Sequence, residues 1–83
     1  MKVPVIRQFF QSQSTEQLEN TLSVLESFCE FRGVSETEVD VVGELITNIC
    51  GALEVHAKVA EGETEKDALN GFAQRVMGSI DRA

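Results

Sequence analysis

Apolar residues recur at intervals of three and four along most of the chain, which is the period of an α-helix. In the longest run two such series lie side by side. One is Val39, Val42, Ile46, Ile49, Leu53, His56 and Ala60; the other is Val41, Leu45, Ala52, Val55 and Val59. At 100° per residue they cover more than half the circumference. Asp40, Glu44, Thr47, Gly51, Glu54, Lys58 and Glu61 are left as a polar stripe. The pattern predicts one helix over about 36–61. A helix apolar on so wide an arc belongs at the centre of its fold or under a partner chain.

The flanking segments are shorter and marked by start and stop signals. Ser14-Thr15-Glu16-Gln17 and Ser35-Glu36-Thr37-Glu38 each have the form of a capping box, in which a serine and a residue three further on satisfy each other's backbone N–H groups. The first opens a helix carrying Leu18, Leu22, Leu25, Phe28 and Cys29, widened by Val24 and Phe31 and ended by Gly33. Gly62 stops the long helix. Thr64-Glu65-Lys66-Asp67 then opens a last one carrying Ala68, Leu69, Phe72, Ala73, Val76, Met77 and Ile80. At the start, Pro4 suits the first turn of a short helix with Ile6, Phe9 and Phe10 on one side, while Val3 and Val5 alternate around it as in an edge strand. The helical spacing is the more consistent. The fold class expected is therefore all-α: a small antiparallel bundle of three main helices plus a short N-terminal helix, forming a single helical domain over 1–83.

Gly43, Gly51, Gly71 and Gly78 fall inside these helices, where each costs about 0.5–1 kcal/mol relative to alanine. Close approach of a neighbouring helix is the expected return, with Gly51-Ala52 and Ala68 with Gly71 as the candidate contacts.

Composition narrows the function classes. Seven Lys and Arg face fourteen Asp and Glu, giving a net charge of -7 over 83 residues. The basic residues are scattered, so no cluster exists to hold a nucleic-acid backbone or an anionic membrane. No window has the length of apolar sequence that a membrane span needs, and the start does not have the form of a signal peptide. The expected compartment is the cytoplasm, and no nucleic-acid or membrane partner is expected. Cys29 and Cys50 are 21 positions apart with no CxxC pairing, and are read as two reduced, largely buried hydrophobes.

The candidate chemistry is sparse. His56 is the single histidine and lies on the apolar series between Leu53 and Ala60. Glu54 is two positions from it and turns elsewhere on a helix, so neither the HExxH nor the ExxH pattern is formed. The expectation is a core or interface histidine with a satisfied hydrogen bond; a metal ligand or a catalytic base are the competing roles. Asp40 and Glu44 share a side at a four-residue step, with Glu36 and Glu38 nearby. They read as a solvated helix face that also suits a helix N-terminus. Among these residues His56, Glu44, Glu54 and Asp40 are the weak candidates for holding a metal. Glu54 and Lys58 are placed for a surface ion pair. Asn48, beside Leu45 and Ala52, is either an amide reaching water or one that fixes the register of a helix pair. No catalytic residue and no cofactor site can be assigned.

The stretches GELITNICGALEVH (43–56) and ALNGFAQRVMGSI (68–80), with PVIRQFF near the start, resemble a family of small uncharacterised bacterial all-helical proteins. That resemblance implies the same all-helical fold and brings no activity, ligand or site residue. The function expected is that of an interaction or accessory module acting as a homo-oligomer, a dimer preferred, with room for a further protein partner. Its contact is expected along Val39, Val42, Ile46, Ile49, Leu53 and His56, because two apolar sides of the long helix need cover. The alternative is a small enzyme or a metal-binding or thiol-redox regulator using His56 with nearby carboxylates or cysteines.

Overall fold

The computed structural model of the chain describes the backbone of residues 1–81 and the side chains as far as Met77. It contains four helices in the order α1 (Val3–Ser12), α2 (Thr15–Cys29), α3 (Glu36–Ala60) and α4 (Glu65–Asp81), with no strand among the described residues. Helical spacing thus prevails over strand alternation at the N-terminus. Pro4 sits in the first turn of α1, where its missing N–H costs nothing.

Both capping boxes form as the sequence suggests. The Ser14 and Ser35 hydroxyls accept from the N–H groups of Gln17 and Glu38 at 3.1 Å, and those side chains accept in return from the serine N–H groups. The two hydrogen bonds from Ser35 hold the Glu38 carboxyl below its ordinary titration range. Thr64 caps α4 through the N–H of Asp67. At the other end of α3, Gly62 takes the left-handed conformation (φ +107°). The N–H groups of Gly62 and Glu63 return to the carbonyls of Val59 and Lys58, which closes a Schellman turn. One boundary differs from expectation. Helix α2 ends at Cys29, and Phe31 falls in the turn that follows, exposed and edge-on to the Phe28 ring at 6.3 Å; Gly33, at φ +84°, completes that turn.

Helix α3 is the centre of the arrangement. Each of the other three packs against it, α1 also touches α4, and α2 and α4 share no substantial contact. Helices α4, α3 and α2 therefore form one layer with α1 laid on it, in a molecule only 17 Å through its thinnest direction. The core is a single cluster in which Ile6 of α1, Leu18 of α2, Ile49, Ala52 and Val55 of α3, and Ala68, Leu69 and Phe72 of α4 are buried.

Gly51 is where close packing is required. A Cβ placed there would lie 2.8 Å from Phe72 Cε2 and 2.9 Å from Ile6 Cδ1, so the missing side chain is what lets α1 and α4 meet α3 together. Gly43 and Gly71 have nothing within 4 Å of such an atom, which corrects the expectation of close approach at Gly71; Gly78 lies outside the residues whose side-chain surroundings are described. The Glu54–Lys58 pair is also replaced. Glu54 pairs with Arg75 of α4, and Lys58 turns to Glu61 and Glu63 at 4.0 and 3.9 Å. The α3–α4 turn brings those two carboxylates within reach of the lysine, and a partner across the helix pair takes Glu54.

Candidate functional site

The surroundings of His56 and of the long apolar stripe decide what chemistry the chain can perform. Asn48, 3% exposed, accepts from the Lys2 N–H through Oδ1 at 3.0 Å. Two turns on, His56 Nε2 lies 3.0 Å from the Gln13 carbonyl oxygen, and its ring meets Phe10 with centroids 4.6 Å apart. A carbonyl oxygen only accepts, so Nε2 carries the hydrogen in this contact. Lys2 and Gln13 are the residues flanking α1. The two polar residues of the α3 stripe thus bind the two ends of α1 and set it parallel to the second half of α3.

This arrangement separates the candidate chemical partners. His56 faces α1, Glu54 pairs with Arg75 of α4, Glu44 lies 3.8 Å from the Met1 amino group, and Asp40 is exposed on the polar side. Among the described residues no three of His, Cys, Asp and Glu come together in a way that could hold a metal ion. The cysteines are free, but less hidden than expected: Cys29 is half-buried and Cys50 exposed. Cys50 occupies the side of α3 turned away from α1, a position that apolar neighbours in sequence do not disclose. Partial shielding of its sulfur pushes the thiol up from its ordinary value, and the Glu26 carboxylate adds to that effect. A thiol shifted in that direction holds less thiolate at neutral pH and reacts more slowly. Alkylation of Cys50 in the native protein is expected to lag that of the unfolded chain, and Glu26→Gln is expected to accelerate it. A native rate equal to or above the unfolded one would contradict this.

The expected contact series is divided by the fold. Ile49 is buried within the chain, Leu53 packs against the same cluster, and His56 is engaged with α1; Val39, Val42 and Ile46 remain half-buried. The exposed side chains are on the other series. Val41 is 58% and Leu45 37% exposed, although they continue the stripe of Asn48, Ala52 and Val55 that α1 covers. Lys2, Val5, Val41, Glu44, Leu45 and Asn48 line a cleft of about 220 Å³ where α1 begins. The sequence carried this signal in the lengths: α1 has 10 residues and α3 has 25, so one stripe of α3 cannot be covered throughout.

A family described as a family of unknown function, DUF6952, matches residues 1–81. The chain belongs to this family. The match spans all four helices, so the whole arrangement around α3 lies within the family's extent. No curated protein matches the chain, and no solved structure does. Among the described residues no helix is long and apolar enough to cross a membrane.

The hold of Asn48 on the start of α1 has a direct test. Asn48→Leu keeps the bulk but leaves the Lys2 N–H without its acceptor, and a loss of about 1–3 kcal/mol is expected for such a part-buried group. Urea unfolding of the variant measures it. An unchanged midpoint would show that water replaces the amide and that α1 is not held there.

Proposed function

We propose that this member of the family is a cytoplasmic interaction or accessory module that works as a homo-oligomer, with the dimer as its basic form. The observation that carries this reading is the bare first half of the α3 stripe, where Val41 and Leu45 continue a buried row into solvent. Of the expected contact series only half-buried Val42 adjoins this surface; Val39 and Ile46 turn toward the side of α3 that carries Ala57. The separation of His56, Glu44 and Glu54 gives no comparable support to a metal-dependent or catalytic role.

A net charge of -7 on each copy opposes association at long range, but salt screens that repulsion beyond about 10 Å at ordinary ionic strength. The contact itself is then governed by the apolar area removed from water. Sedimentation of the purified protein at micromolar concentration and physiological salt tests the reading. A particle of twice the 9.1 kDa chain mass is the expected result. A single-chain mass at every concentration would overturn it.

A further inference from the structure

We infer that the self-association proposed above uses the half of the three-helix layer that α1 leaves bare, centred on Val41 and Leu45, with the same face of a second copy as its occupant. The inference rests on that proposal and adds the α2 flank of the surface and its pairing with the same face of the second copy. Val41, Leu45, Asn48, Ala52 and Val55 follow one another at steps of four, three, four and three, so they lie on one line along α3. Contacts of Lys2 with Asn48 and of Gln13 with His56 show where α1 begins and ends on that line; Val41 and Leu45 lie before it.

Helix α2 extends the same face. Leu18, Leu22, Leu25 and Cys29 form its stripe toward α3, and Val24 and Phe28 lie together on one flank of that stripe. With right-handed helices packed antiparallel and α1 where it is, that flank is the α1 side. Phe31, in contact with Phe28, carries the apolar surface past the end of the helix. Val24 and Phe31 are 68% and 60% exposed.

Area and charge select the occupant. From exposures of 68%, 60%, 58% and 37%, Val24, Phe31, Val41 and Leu45 together leave on the order of 400 Å² open, within the range of the largest patch on an ordinary monomer and about half of one partner's share in a standard interface. Two such faces closed on each other supply most of the roughly 1,200 Å² at which specific interfaces begin, and Val5, Phe28 and the rim extend it. The cleft at the centre bears Lys2 and Glu44, and the Met1 amino group of the same chain lies 3.8 Å from that carboxylate. A twofold axis lets each copy set its lysine against the carboxylate of the other, as an isologous contact requires. Asp40, one turn before Glu44 on the polar stripe of α3, lies at the edge of this face, and Glu54 is taken by Arg75.

The experiment compares wild type with Leu45→Glu, Val41→Glu and, on the opposite side of α3, Ala57→Glu, by sedimentation equilibrium with circular dichroism as the control for folding. All three positions are exposed, so the helical signal is expected to persist. Leu45→Glu and Val41→Glu are each expected to raise the dimer dissociation constant about 30-fold or more, the effect of losing a central contact, with Ala57→Glu near wild type. A wild-type dimer that all three variants leave intact, or that Ala57→Glu weakens as much as the others, overturns this face while the homo-oligomer survives. A wild-type protein that is a single chain at all concentrations overturns both. Should the glutamates disturb folding, Val41→Ala with Leu45→Ala decides by the same measurement.

Discussion

Replacing Ile6 by alanine is expected to lower the stability of the fold by about 2–5 kcal/mol, the range for removing three buried carbons from a site that only partly collapses. Ile6 is fully buried and is the one buried residue of α1. Its Cδ1 reaches the floor left open by Gly51, so it is the side chain through which α1 meets the centre of the cluster. A 10-residue helix is too short to persist in water unaided, and the contacts at its ends are polar pairs (Lys2 with Asn48, Gln11 with Glu65, Gln13 with His56) and the Phe10–His56 ring contact. The loss should therefore appear as early exchange of the α1 amides as well as a lower urea midpoint. Val41→Ala, at an exposed position of α3, is expected to change the monomer's stability by no more than about 0.5 kcal/mol. A loss below about 1 kcal/mol for Ile6→Ala would show that α1 is only loosely seated.

Much of the fold is legible in the chain because its signals are local. The three-and-four spacing, the two serine capping boxes, Thr64 and Gly62 each act within a few residues of one another, and the four helices begin and end close to where those signals place them. What the chain conceals is the assignment of faces. Both apolar series of α3 are equally good candidates for burial, and nothing local says that Ile49 and Leu53 join the cluster while Val41 and Leu45 stay in water. That outcome depends on the mismatch between α1, about 15 Å long, and α3, about 37 Å long, and on where α1 is placed along the longer helix. The placement is fixed by Asn48 acting on Lys2, 46 positions away, and by His56 acting on Gln13, 43 positions away. Glu54 illustrates the same limit: its neighbour in sequence is Lys58, and its partner in space is Arg75. A histidine with a satisfied hydrogen bond is legible at position 56, yet the carbonyl that satisfies it belongs to a residue of no distinctive type.

Substitution at Gly51 should reverse the ordinary ranking of helix residues. In an open helix, glycine to alanine gains about 1 kcal/mol, and Gly43→Ala and Gly71→Ala are expected to approach that gain because an added Cβ meets nothing within 4 Å. At Gly51 the same atom arrives 2.8 Å from Phe72 Cε2 and 2.9 Å from Ile6 Cδ1, separations that packed carbons do not adopt. Overpacking of this kind costs about 1–3 kcal/mol, enough to cancel the propensity gain and leave a net loss. The larger Gly51→Val should lie at or beyond the top of that range. The two sides of the contact also predict a coupling. Ile6→Ala removes the Cδ1 atom that obstructs the new Cβ, so Gly51→Ala should be less harmful in that background, with a favourable interaction of about 0.5–3 kcal/mol between the two changes. Phe72 remains on the other side, so the rescue should be partial. Equilibrium unfolding of the two single variants and the double variant measures this directly; strict additivity would mean that Gly51 is not the point at which α1 and α3 are matched.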